Sequence, residues 1–294
     1  MIIKYNEPLS KHSTFRVGGE AKIAYFPENE DEFTALLAEL SSKGERYIVI
    51  GNGSNMLFDD LGFDGAVIFT KAMSGVAYTY TNDGVTVYAE CGKMLTELSR
   101  EVGKTHSLTG LEFAFGIPAT IGGAVFMNAG AYGGQMSDVV VKTKAYDTAS
   151  NSIVEIVGEE HDFAYRHSIF EENRNLIVLS TTMKLTSGDA MAISEKMDTN
   201  MQSRRDKQPL EYPSAGSTFK RPVGYFAAKL IDDCNLKGFT VGGAQVSEKH
   251  AGFVINKGGA TCADILGLMR AVSDKVFDAF GVRIEPEIIY VPYK

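Results

Sequence analysis

The sequence predicts an α+β fold, outside the Rossmann class and built in more than one domain. Three observations predict it. Hairpin patterns at residues 76–90 and 139–157 are combined with separate amphipathic helical patterns. The one glycine turn with a dinucleotide look, Gly51-Asn52-Gly53-Ser54-Asn55-Met56, has Met56 where the third glycine belongs, and no other GxGxxG occurs. The chain has 294 residues, 44% of them apolar and 22% charged, enough for a sizeable core and two or three domains.

In chain order, residues 29–43 space Phe33, Leu36, Leu37 and Leu40 as one helical face, with Gly44 just past the end. Residues 47–50 form a short apolar strand running into Gly51–Asn55, and residues 66–69 a second strand. A small parallel unit fits this first block. Residues 76–81 and 85–90 flank Asn82-Asp83-Gly84, a strong hairpin signal. A helix fits 93–102, ending at Gly103. Residues 139–147 and 152–157 make another hairpin, and 175–185 a further strand. A boundary is expected at Ser187-Gly188. Beyond it, helices are expected over 190–205 and 225–233, and strands over 244–247 and 252–256. A long helix follows over 261–280, with Ile265, Leu266, Met269, Val272, Val276 and Phe280 on one face; residues 282–291 are extended. This gives three expected domains: 1–70, 71–187 and 188–294, with the last strand able to return to the first region.

A net charge of −8 argues against a general nucleic-acid or membrane surface, yet leaves room for small anionic ligands at local Lys and Arg clusters. No stretch approaches 18 continuous apolar residues, and the N-terminus has no signal-peptide pattern. Cys91, Cys234 and Cys262 are scattered and odd in number, which suits a reducing compartment; a cytoplasmic, monomeric protein is expected. His161 and His167 lack an HExxH pattern, so no metal site is expected. Gly103-Lys104-Thr105 resembles the end of a phosphate loop, but Leu98 stands where its first glycine must be. Ser217-Thr218-Phe219-Lys220 matches the SxxK pattern of serine acylases, without its usual companion elements.

Residues 110–134, GLEFAFGIPATIGGAVFMNAGAYGG, hold seven glycines in 25 positions and a single charge, Glu112. Pro118 fixes one turn and Gly122-Gly123 is expected to open another. Asn128 and Tyr132 are among its few hydrogen-bonding side chains. Such a stretch is either a tightly turned core segment or a backbone cradle for a large, flat, partly anionic cofactor. Three later segments bear on the choice: Tyr165-Arg166-His167-Ser168, residues 214–220 around Ser217, and Ile284-Glu285-Pro286-Glu287-Ile288. Taken singly, Arg166 reads as a surface ion pair, Ser217 as a turn hydroxyl, and Glu287 as the outward side of an edge strand.

Together, GNGSN, GIPATIGGAVFMNAGAYGG, YRHS, SAGSTFKRP, GGAQVSEKHAGFVIN and EPE occur in this order from about Ser13 to Glu287. The set resembles the UDP-N-acetylenolpyruvoylglucosamine reductase family, in the shorter form that lacks a Tyr-bearing insertion between Arg166 and Ser217. The resemblance implies a two-part FAD-binding region of the vanillyl-alcohol-oxidase/p-cresol-methylhydroxylase type, followed by a substrate domain. It implies FAD as cofactor, with NADPH and UDP-N-acetylglucosamine enolpyruvate as substrates, in peptidoglycan precursor synthesis. FAD would be held at Gly51, Asn52, Gly53, Ser54, Asn55, Gly116, Ile117, Pro118, Gly122, Gly123, Asn128, Ala129 and Gly130, where glycine-turn N–H groups suit a pyrophosphate. Arg166 matches the family's cation for the substrate carboxylate, Glu287 its acidic partner, and Ser217 its proton donor. A carboxyl group that donates to an anion calls for a raised pKa, and a hydroxyl acid must be tuned by neighbours such as Lys220. Tyr165, Lys220 and Arg221 are the candidate substrate-binding residues; Arg204, Arg205 and Lys207 could serve either FAD or UDP phosphates. Ala119 stands where many members have glycine, which speaks against a required positive φ there. Another FAD oxidoreductase on this fold, the SxxK acyl-transfer enzyme, and a catalytically silent binding module remain as alternatives.

Overall fold

The structure, a computed structural model, describes residues 1–294. The chain opens with strands β1 (Ile2–Pro8) and β2 (Glu20–Phe26), helix α1 (Glu30–Ser42), and strands β3 (Tyr47–Ile50), β4 (Met56–Phe58) and β5 (Phe63–Phe69). Strands β1, β2, β5 and β3 follow one another in that order in a four-stranded sheet. Helix α1 forms where the spacing predicts it. Asn29 caps it by accepting from Glu32 N at 2.9 Å, three acidic residues favour its positive end, and Phe33, Leu36, Leu37 and Leu40 are buried.

Next come the hairpin β6 (Val76–Thr81) and β7 (Gly84–Glu90), with Thr81 paired to Gly84, and helix α2 (Leu95–Arg100). The helix starts later than residue 93 because Lys93 O and Leu95 N are taken by Ile121 N and Ala119 O. It also does not stop at Gly103. The winding continues as a π turn over Glu101–Thr105, and a Cβ at Gly103 would lie 2.7 Å from Met197 Sδ. Strand β8 (Leu108–Thr109), helix α3 (Ile121–Phe126) and the tiny strands β9 (Gly130–Ala131) and β10 (Gly134–Gln135) follow. Gly122 and Gly123, expected to open a turn, lie instead in the first turn of α3, where Thr120 is the capping residue.

Strands β11 (Val140–Asp147) and β12 (Ser152–Val157), helix α4 (Ile169–Glu172) and strand β13 (Leu176–Ser187) complete a sheet of order β12-β11-β13-β7-β6, with β8 beside the end of β13. Then come α5 (Ala190–Lys207), α6 (Ala227–Asp233), β14 (Thr240–Val241), β15 (Ala244–Val246), β16 (Val254–Asn256), α7 (Cys262–Phe280) and β17 (Ile289–Val291). Between Arg166 and Ser217 there are only α4, β13 and α5, with no added folded element.

The chain folds as two compact units. The first holds Met1–Ile3, Tyr25–Asn52 and Val67–Ser203; the second holds Lys4–Ala24, Gly53–Ala66 and Arg204–Lys294. This differs from three consecutive stretches divided at residues 70 and 187. The physical reason lies in the core of the second unit, where Phe15, Val17 and Leu57 pack with Phe219, Ile231, Ile265 and Ile288. Strand β17 also pairs in parallel with β4, Ile289 against Met56. Helix α7 buries Ile265, Leu268, Met269, Val272 and Val276; Leu268 is buried where Leu266 was expected, and Phe280 is exposed. Its start is doubly capped, by the Thr261–Asp264 capping box and by Asp60, whose carboxylate accepts from Cys262 N and Ala263 N. All three cysteines are free, and no helix is long and apolar enough to cross a membrane.

Candidate functional site

In the first unit the turn after β3 meets the glycine stretch. Gly51 lies so close to Thr120 that a Cβ there would come within 2.0 Å of Thr120 Oγ1. Asn52 Nδ2 donates to Pro118 O at 2.7 Å, and Lys71 Nζ donates to Asn52 Oδ1 at 3.0 Å. Residues 119–122 are held to 91–95 by Leu95 N, Ile121 N and Gly122 N. In the first unit, the backbone N–H of Asn52 pairs with no backbone acceptor. In the second unit, Gly53 has a left-handed φ of 59°. A backbone N–H such as that of Asn52, beside a close-packed glycine turn, suits an anionic group such as a pyrophosphate. Gly116 has φ 89° and donates to Thr96 Oγ1, Ile117 N donates to Ala114 O, and Ala119 has no positive φ.

The far end of the stretch does something else. Asn128 is buried, and its amide is used by the protein: Oδ1 accepts from Ser137 N at 2.9 Å, and Nδ2 donates to Ala164 O at 3.0 Å and to Gln135 Oε1 at 3.4 Å. Ala129 N and Asn128 N close the end of α3 on Ala124 O and Val125 O. Gly130 O accepts from Arg166 Nη2 at 3.2 Å. Arg166 sits in the tight turn 164–167, closed by Ala164 N to His167 O and His167 N to Ala164 O. Its φ is 53°, a left-handed value that glycine or asparagine ordinarily takes at this turn position. Tyr165 is exposed beside it, with the guanidinium 5.2 Å from the ring centre.

His167 lies between Asp162 and Glu171, each at 3.2 Å, with Glu172 at 3.7 Å. Partial burial alone would lower its pKa, but these carboxylates raise it above the ordinary histidine value. Asp162 and Glu172 are exposed ion-pair partners of His167, which accounts for the cluster they form with it. His161 is fully buried, bonded to Gly158 O and Thr143 Oγ1, and burial lowers its pKa.

In the second unit three extended segments lie side by side. Thr218 N donates to Gly252 O, Thr218 O accepts from Glu287 N, and Lys220 N donates to Glu285 O, each at 2.8 Å. Thr218 Oγ1 also accepts from Val254 N at 2.8 Å, and the residue is fully buried. The structure thus sets the backbone of Thr218, the residue after exposed Ser217, beside that of half-buried Glu287. Sequence reasoning missed Thr218; its signal was a hydroxyl inside an otherwise small and apolar motif. Asn55 holds the same segment from the other side, with Nδ2 donating to Glu287 O at 3.1 Å and its carbonyl accepting from Ile289 N. Asn55, an expected cofactor residue, has its side-chain donor engaged by the Glu287 backbone. Residues 217–220 are not helical, so Ser217 and Lys220 are not placed one above the other on a helix face.

Arg221 stacks 4.0 Å over Phe226, while Val223 and Tyr225 are exposed in the same loop. Arg204, Arg205 and Lys207 occupy the last turn of α5, where positive charge suits the carbonyl end of a helix.

Comparison with known proteins covers both units. A family profile described as UDP-N-acetylenolpyruvoylglucosamine reductase, C-terminal domain, matches residues 208–291, and one described as FAD binding domain matches residues 21–157. The UDP-N-acetylenolpyruvoylglucosamine reductase of Caldanaerobacter subterraneus is 44% identical over 98% of this chain and 93% of its own length. That of Latilactobacillus sakei is 46% identical over 97% of this chain and 92% of its own. The crystal structure of UDP-N-acetylenolpyruvylglucosamine reductase from Thermus caldophilus matches with a TM-score of 0.82 at 32% identity, covering 99% of this chain and 98% of that one.

Proposed function

The chain belongs to the UDP-N-acetylenolpyruvoylglucosamine reductase family, and on that premise we propose that it reduces UDP-N-acetylglucosamine enolpyruvate to UDP-N-acetylmuramate with FAD and NADPH, in peptidoglycan precursor synthesis. The observation that carries this reading is the likeness to named reductases over nearly the whole chain. When bound, FAD would supply the hydride-transfer chemistry between NADPH and the enolpyruvyl group. Gly51 and Asn52, with Pro118 and Thr120 beside them, would hold its pyrophosphate through backbone N–H groups, and Lys71 adds a cation beside Asn52.

The protein's own residues then act on the substrate. Arg166 holds the carboxylate, on which negative charge builds in the transition state. Glu287 shares a proton with that carboxylate, and Ser217 delivers a proton to the neighbouring carbon. The Thr218 anchor supports this pairing, because it sets Ser217 and Glu287 on adjacent backbone segments. Tyr165, Lys220 and Arg221 complete the substrate contacts. The working enzyme is a monomer of the cytoplasm. NADPH oxidation dependent on UDP-N-acetylglucosamine enolpyruvate, by purified yellow protein, is the expected result. A colourless protein releasing no flavin on denaturation would overturn the proposal.

A further inference from the structure

The turn that carries Arg166 is fastened to the end of the glycine stretch by three bonds of alternating spacing. Ser168 Oγ donates to Phe126 O at 2.7 Å, Asn128 Nδ2 donates to Ala164 O at 3.0 Å, and Arg166 Nη2 donates to Gly130 O at 3.2 Å. On one side the rungs are residues 126, 128 and 130; on the other they are 168, 164 and 166. Ser168 and Asn128 are both buried, with 0% and 1% exposure, so water cannot replace these bonds cheaply. Asn128 is itself held, by Ser137 N on its Oδ1, so its donor has a fixed direction. What it holds needs holding: Arg166 has the left-handed φ of 53°, and Tyr165 beside it is 55% exposed. A strained residue persists only when its surroundings over-determine it.

We propose that residues 126–130 form a clamp that presets Arg166, with Asn128 and Ser168 as positioning residues acting through the 164–167 turn. Residues 128–130 then serve the substrate's cation rather than the flavin directly. The importance for turnover rests on the assignment of Arg166 to the substrate carboxylate; the clamp itself does not. Reacting groups misplaced by about 1 Å can lose on the order of 10²-fold in rate, so a loosened turn has a measurable cost.

The test uses the full-length, FAD-loaded protein and two variants. Asn128→Asp tolerates a left-handed φ and keeps the acceptor for Ser137 N, but replaces the donor to Ala164 O with an acceptor. Ser168→Ala removes only the bond to Phe126 O. The first readout is tryptic cleavage after Arg166, followed by mass spectrometry and normalised to cleavage after exposed Lys43. Local opening governs such cleavage, and both variants are expected to speed it by about tenfold or more. The second readout is a double-mutant cycle on the half-reaction with enolpyruvate substrate. Each variant is expected to slow it by about tenfold, with no further slowing when combined with Arg166→Gln. Cleavage after Arg166 at the wild-type rate in folded Ser168→Ala overturns the clamp, as does full additivity with Arg166→Gln. If Asn128→Asp fails to fold, Ser168→Ala decides. If Arg166→Gln alone turns over normally, the role of Arg166 falls, and the cleavage rates still decide the clamp.

Discussion

Replacing Gly51 by alanine would place a methyl carbon 2.0 Å from Thr120 Oγ1, a distance no packing tolerates. The expected outcome is a loss of about 1–3 kcal/mol of stability and weaker flavin retention. Differential scanning fluorimetry and the flavin-to-protein absorbance ratio check it, and Thr120→Ala in the same chain should restore part of both. At Ser217 the expected loss is chemical. Ser217→Ala should leave NADPH-driven flavin reduction largely intact and slow the enolpyruvate half-reaction by about 10²-fold or more, read by stopped-flow absorbance. Wild-type turnover would rule out the proton-donor assignment. Arg166, Ser217 and Glu287 become candidates only as members of ordered motifs, since each alone has a bland reading. Their supporting contacts were not legible. Thr218 looks like a minor polar position, and Asn128, singled out as a hydrogen-bonding side chain, gave no sign of the Ala164 carbonyl that it holds.

At the scale of elements, helices and hairpins with strong local signals were readable. Asn29 and Gly44 bracket α1, Asn82-Asp83-Gly84 turns β6 into β7, and Thr261 starts α7. Strands β1, β2 and β4 were not: β1 is exposed along most of its length and β4 has three residues, so neither shows a period-2 pattern. The link between β11 and the 158–161 turn carries a pH dependence. His161 bonds to Thr143 Oγ1 on β11 and to Gly158 O, and its folded pKa lies below the unfolded value of about 6.5 because burial disfavours the charge. The unfolded chain therefore binds the proton first. Stability from neutral His161 is present above about pH 6.5 and is lost as pH falls below it. His167, with a raised pKa, works in the opposite sense: its contribution is present below about pH 6.5 and lost as pH rises through its folded value. Urea denaturation at pH 7.5 and 5.5 should show a smaller acid loss in His161→Gln than in the wild type; equal losses would contradict the assignment.

For the molecule as a whole, flavin binding and folding are coupled. FAD at about 100 times its Kd should stabilise the protein by about 2.7 kcal/mol, raising the melting temperature by roughly 4 °C for a chain of this size. Calorimetry of stripped and reloaded protein measures this, and no shift would mean that the folded protein does not bind FAD. The α+β class and the exclusion of a Rossmann fold were readable from the sequence. The grouping into two units depends on pairing between distant stretches, which local patterns do not carry. The bond from Asn55 to Glu287 spans 232 residues, and β4 waits for β17. That separation orders events in time. The first unit has all its residues once Ser203 is made, whereas the second lacks a strand and the Glu287 segment until the chain is almost finished. At synthesis rates of about 5–20 residues per second, β4 stays without its partner for roughly 10–50 s. Its own Leu57 and Phe58, both fully buried at the end, are apolar surface for that interval. Truncation at the C-terminus should therefore be felt as insoluble expression before it is felt as lost activity.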